Sequence, residues 1–140
     1  MSIPVILSIR GQQNYLEQEP ETIELITEGV LEQAGQGWKL TYEESDLTGL
    51  QGVTTTFFVE PGKITLTRKG PLQSEMVFQE GQFHESLYQM EFGTLMITVC
   101  ASKVAYDITE EGGTIDLVYA IEIERTAAGL IEYHLDIRAK

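Results

Sequence analysis

The sequence predicts an all-β protein: one antiparallel up-and-down β-barrel of about eight to ten strands. Three observations lead there. The dominant hydrophobic period is two, the period of a strand with one buried face. Turn signals recur between the runs, at Gly35-Gln36-Gly37, Pro61-Gly62, Gly70-Pro71, Glu80-Gly81 and Gly112-Gly113. No segment carries a convincing amphipathic helix pattern. A meander of this kind closes on itself because closure removes exposed strand edges.

The elements follow in order. "IPVILSIR" puts Ile3, Val5, Leu7 and Ile9 on one face. "TIELITEGVLE" alternates, and its Gly29 is a place for a bulge or bend. Residues 14–34 also carry some helical spacing, but their isoleucines and threonines favour a strand. "WKLTYEE" places Trp38, Leu40, Tyr42 and Glu44 together. "GVTTTFFVE" is β-branched and aromatic, and its threonines read as ordinary strand residues. "KITLTRK", "EMVFQ" and "FHESLYQM" follow. "GTLMITVCA" sets Leu95, Ile97 and Val99 on one face, with Met96 and Cys100 on the other. In "TIDLVYAIEIE", Ile115, Leu117, Tyr119, Ile121 and Ile123 share a face opposite Asp116, Glu122 and Glu124. "LIEYHLDIR" alternates Ile131, Tyr133, Leu135 and Ile137 with Glu132, His134, Asp136 and Arg138. The short link "RTAAG" makes the last two a hairpin.

Length and composition bound the function. The 140 residues fit a single domain spanning 1–140, and 42% hydrophobic content supports a self-sufficient core. Nine basic residues stand against 22 acidic ones, for a net charge of −13. Binding nucleic acid needs clustered Lys and Arg, and the densest cluster is the pair Arg68-Lys69. Nucleic-acid partners and anionic membrane surfaces are therefore not expected. The one cysteine, Cys100, excludes an internal disulfide and reads as a small buried hydrophobe. The N-terminal stretch lacks the basic region of a signal peptide, so the expected compartment is the cytoplasm.

From Trp38 onward, "WKLTYEE", "TTTFF", "ITLTRKG", "SEMVFQEG", "LYQMEFGTLMITV" and "GGTIDLVYAIEI" stand in an order that resembles the YwiB-like family of bacterial proteins. The resemblance covers nearly the whole chain and is most specific from 38 to 124. The marks that match best are Trp38, Tyr42, Glu44, Arg68, Gly70, Phe78, Tyr88, Gly93 and Tyr119. It implies a lipocalin-like (calycin) barrel of unknown function. Two departures stand out: Met90 replaces a threonine two residues after Tyr88, and Gln36-Gly37-Trp38 lacks the lipocalin Gly-x-Trp signature.

Catalytic patterns are missing from the sequence. The two histidines, His84 and His134, are far apart, no serine sits in a Gly-x-Ser-x-Gly setting, and no Gly-rich loop leads into a helix. No metal-ligand spacing occurs. The sequence therefore predicts no enzyme, no cofactor and no metal.

Arg68 is the residue that asks for an explanation. In "ITLTR" the apolar Ile64 and Leu66 define the inward face, and Arg68 shares it. The same counting brings Glu44 inward. A charge inside a barrel is costly unless paired. Arg68 and Glu44 can pair, with Tyr42 or Tyr88 completing a network. Arginine's planar fork also suits a carboxylate ligand. The candidate ligand-binding residues are thus Trp38, Tyr42, Glu44, Arg68 and Tyr88, for an apolar or carboxylate-bearing small molecule. Two alternatives compete: a rim salt bridge without function, and a structural or protein-interaction barrel with a filled core, including a homodimer. An interior cavity above ~300 Å³ favours a ligand, and a filled interior favours the structural barrel. Gly93 reads as a bend that lets the barrel curve.

Overall fold

The computed structural model describes residues 2–15, 19–44 and 50–140. Ten strands account for most of them: β1 (Ser2–Tyr15), β2 (Glu21–Ala34), β3 (Gly37–Glu43), β4 (Thr54–Glu60), β5 (Lys63–Lys69), β6 (Ser74–Phe78), β7 (Phe83–Met90), β8 (Gly93–Thr109), β9 (Gly112–Ile123) and β10 (Thr126–Ala139). Each apolar run of the sequence lies on one of these strands, and no helix is present among the described residues. The segment 14–34, with its competing helical spacing, is strand on both sides of residues 16–18, which lie outside the described set.

All ten strands form one antiparallel sheet, in the order β6-β5-β4-β3-β2-β1-β10-β9-β8-β7. Every neighbour but one is consecutive in the chain. The exception joins β1 to β10, whose register runs unbroken from Val5–Ala139 to Tyr15–Gly129. The sheet is nearly closed, and the remaining seam lies between β6 and β7. Gln73 and Gln89 exchange two backbone hydrogen bonds there, at 2.9 and 2.8 Å. Farther along, the Gly81 amide donates to the Ala101 carbonyl at 2.8 Å, and the Val104 amide donates to Glu80 Oε1 at 3.0 Å.

The inward residues fill most of the barrel. Val5, Leu7, Leu31, Leu40, Phe57, Ile64, Phe78, Ile115 and Leu135 are fully buried. Phe78 and Tyr119 pack with ring centroids 4.6 Å apart. The alternation that defines these faces is the one visible in the sequence.

Four local expectations need correction. Gly29 makes no bulge: its pairings Val5–Gly29 and Gly29–Tyr42 belong to continuous ladders. The strands simply approach too closely for a side chain, since a Cβ would lie 2.8 Å from the Thr41 carbonyl oxygen. The last hairpin turns at Glu124 and Arg125, both with positive φ, rather than through "RTAAG". The Thr126–Gly129 stretch is strand with a register shift between Ala127 and Gly129. Cys100 is half-buried, because it faces outward opposite the exposed Phe83. Gly93 begins β8 just after a tight turn and pairs with Met90.

β8 also runs farther than its alternation suggested. A register shift between Ala101 and Lys103 inserts one residue and reverses the parity. Ile97, Val99 and Ala101 are buried before it, and Ile108 is buried after it.

Candidate functional site

One end of the barrel interior is polar. β5 carries Arg68 inward, as the parity of Ile64 and Leu66 requires, and Ile64 and Leu66 are both buried. β3 carries Tyr42 inward, and Glu44 follows directly after that strand. β10 supplies Tyr133, and β7 supplies Tyr88. With Ile9, Gly11, Gln13, Leu25 and Leu50 these side chains line a cavity of about 240 Å³.

Glu44 is the best-held member. Its side chain is only 2% exposed. The Thr55 hydroxyl donates to Glu44 Oε2 at 2.6 Å, and Thr55 itself is fully buried. The Glu44 amide donates to the Val53 carbonyl at 2.9 Å. Arg68 is less well matched. Its Nε stands 3.9 Å from Glu44 Oε2, inside ion-pair range and beyond hydrogen-bond range. That Nε is buried and has no hydrogen-bond partner. Arg68 keeps its charge all the same. Burial opposes it, but the surrounding Tyr133, Tyr88 and Tyr42 oxygens and the Glu44 carboxylate outweigh burial and hold it above its ordinary value.

Tyr42 and Tyr133 stay protonated. Burial, then Tyr133 and Glu44, push the Tyr42 hydroxyl far above the usual range, against the pull of Arg68. Burial likewise raises Tyr133, against the Tyr42 hydrogen bond and Arg68. The two hydroxyls lie 3.4 Å apart across the barrel. Phe57 backs both rings, with centroids 6.5 Å from Tyr42 and 6.1 Å from Tyr133. A neutral hydroxyl can donate or accept, so the pair can orient either way toward a guest.

The structure thus brings together Tyr42, Glu44, Arg68 and Tyr88. It does not bring Trp38 to them. Trp38 is half-buried four residues before Tyr42 and lines a separate surface hollow with Gln36, Phe58 and Pro61. Three further residues belong to the neighbourhood. Tyr133 and Thr55 were signalled by parity, since they share faces with Leu135 and Phe57. Ser74 sits opposite Arg68 in the β5–β6 register, and its buried Oγ also lacks a hydrogen-bond partner; only the topology reveals that adjacency.

The interior space bears on ligand size. About 240 Å³ is below the ~300 Å³ at which a drug-sized ligand becomes credible. The space is too small for a bulky apolar guest.

Elsewhere, His134 faces outward and is held by two carboxylates, with Nδ1 2.5 Å from Asp116 and Nε2 3.2 Å from Asp136. The Asp116 hydrogen bond raises its pKa, burial opposes the rise, and the charges of Asp116 and Asp136 add to it. His84 Nε2 lies 2.8 Å from Gln79 Oε1. The two histidines stay apart from the Arg68 cavity.

Comparison with known proteins agrees with this architecture. A family model described as "Domain of unknown function (DUF1934)" matches residues 7–137. Among solved structures, the ywiB protein from Bacillus subtilis matches with a TM-score of 0.89 at 22% identity, covering 99% of this chain and 93% of that one. The likeness extends the same barrel fold to a distant sequence. No curated protein matches the chain.

Proposed function

The chain belongs to the DUF1934 family of domains of unknown function, and from that premise we propose that it is a binding module for a small carboxylate-bearing molecule held by Arg68. One observation carries this reading: Arg68 is a buried cation whose Nε makes no hydrogen bond and whose counter-ion stands off at 3.9 Å. Glu44 is already engaged by Thr55. A buried donor left unmade costs roughly 1–3 kcal/mol, and more when charged. A carboxylate guest in the cavity would give Arg68 a second counter-ion, and the guanidinium fork suits it. Tyr42 and Tyr133 are neutral donors on the same cavity, and Tyr88 adds a third ring.

The reading is non-enzymatic and needs no cofactor. Its expected setting is the cytoplasm, and the net charge of −13 argues against nucleic acid as a partner. The filled remainder of the interior favours the second reading, a structural or interaction barrel, with a homodimer as one form. Titration of the protein with acetate and succinate, followed by NMR shifts, separates the two. Binding that falls at least ten-fold in Arg68→Leu, with the fold retained by circular dichroism, supports the carboxylate site. No binding, or equal binding by Arg68→Leu, overturns it.

A further inference from the structure

Along the inward face of β1, Val5, Leu7 and Ile9 are filled, buried positions. The next inward position is Gly11. It pairs with Tyr133 on β10 and with Ile23 on β2, and it lines the Arg68 cavity of about 240 Å³. Glycine inside a strand weakens it and marks a bulge or a close approach of something else. No bulge is present, since both β1 ladders run through Gly11 in register. No other strand's backbone crowds it. A Cβ on Gly11 would meet two carbons of the Tyr133 ring at 3.6 and 3.7 Å, an ordinary contact. At Gly29 the same atom would lie 2.8 Å from a carbonyl oxygen. Nor does Gly11 have the positive φ that favours glycine at the turns. Backbone and neighbours alike would accept a side chain there. What its absence leaves is space in the cavity.

We propose that Gly11 is the specificity-determining position of the carboxylate site, and that the space it leaves takes the aliphatic chain of a short monocarboxylic acid. This rests on the carboxylate reading and deepens it. The lining divides by strand. Tyr42, Arg68 and Tyr88, from β3, β5 and β7, form the end that receives the charged head. Around Gly11, β1 and β2 supply Ile9, Ile23 and Leu25, which suit hydrocarbon. Each methylene buried against such side chains gains roughly four-fold in affinity. The small volume keeps the chain short. The charged residues of the lining are Arg68 and Glu44. One cation does not serve two carboxylates, and a second one would meet the like charge of Glu44. A dicarboxylic acid is therefore disfavoured.

Isothermal titration of the full chain with acetate, butyrate and succinate tests this, in wild type, Gly11→Ala and Gly11→Val. Wild type is expected to bind butyrate at least five-fold tighter than acetate or succinate. Gly11→Val fills the space and should erase the preference for butyrate over acetate. Gly11→Ala adds only the contact with Tyr133; it should cut the preference at least two-fold, and it decides the matter if valine blocks both acids or prevents folding. Neither variant should melt below wild type, because a side chain at a compatible glycine position restricts the unfolded chain. Equal binding of acetate and butyrate by wild type, or a preference that survives in both variants, overturns the assignment of Gly11. A lower melting temperature for Gly11→Ala with its preference intact makes Gly11 a packing residue and overturns it too. Succinate binding as tightly as butyrate overturns the monocarboxylate class. Failure of all three acids to bind wild type removes the carboxylate reading itself, and the inference with it.

Discussion

Between β1 and β10 the ladder runs unbroken along nearly the full length of both strands, over fully buried Val5, Leu7 and Leu135. Between β6 and β7 the sheet is joined by the Gln73–Gln89 bridge, and beyond β6 Glu80 reaches Ala101 and Val104 on β8. The first join carries apolar side chains that complete one another. The second carries Arg68 Nε and Ser74 Oγ, which do not find partners. Apolar packing is therefore continuous where distant parts of the chain meet, and the unmet buried polar atoms lie beside the join where neighbouring strands lack a ladder.

Leu135→Ala should damage the tight join most. Leu135 is fully buried, and truncating such a leucine costs about 2–5 kcal/mol. Leu87→Ala at the seam, where Leu87 is 52% exposed, should stay within about 0.5 kcal/mol. Urea melts of the two variants make the contrast quantitative, and equal losses would dissolve it.

Arg68→Leu comes next. It leaves buried Glu44 without its nearby cation, but the Thr55 hydrogen bond survives and the ion pair is long. The expected loss is about 1–3 kcal/mol, below the 3–5 kcal/mol of a tightly made buried pair. A loss at the upper figure would mean that Arg68 serves stability rather than binding.

Hydrogen exchange sharpens the same contrast without mutation. Amides of the β1/β10 ladder should exchange only through global unfolding, and seam-facing amides of β6 and β7 by local opening. Uniform protection across both joins would contradict the description of the seam.

The smallest effect belongs to His134, on the outer face. Its folded pKa is raised above 6.5 by Asp116 and Asp136. The stabilisation is fully present below pH 6.5 and is lost as pH rises through the folded value. The group is 39% exposed, so solvent screening keeps the effect small. Melting temperatures of wild type and His134→Gln should differ most at low pH and converge as pH rises. Their divergence at high pH would reverse the assignment.

Much of the fold was legible because one period governed it. Ile115, Leu117 and Tyr119 declare their face by alternation alone. The unread parts have two causes. The β8 extension past Ala101 hides behind a bulge that reverses parity, so Val104, Tyr106 and Ile108 look out of phase with Ile97 and Val99. The second half of β1 hides because its inner face there is polar: Gly11 and Gln13 line the Arg68 cavity, and a strand without an apolar face has no visible period. The site was legible to the same extent. Parity delivered Arg68, Glu44 and Tyr42, whereas Ser74 depended on cross-strand adjacency. Trp38 shares the inward parity of Tyr42, but parity says nothing of height along the barrel, and Trp38 lies too far down the strand.

The β1/β10 pairing also sets an order of events. Residues such as Val5 and Ala139 are partners across almost the whole chain, so their ladder carries the largest loop-closure cost and raises the contact order of the protein. The β4–β5 and β8–β9 hairpins form from local contacts and can precede it. During synthesis, β1 can pair with β2 on one edge as soon as both have emerged, while its other edge waits for β10. A long join of the finished barrel is thus the last to be made, and the nascent chain carries an open, aggregation-competent strand edge until it closes.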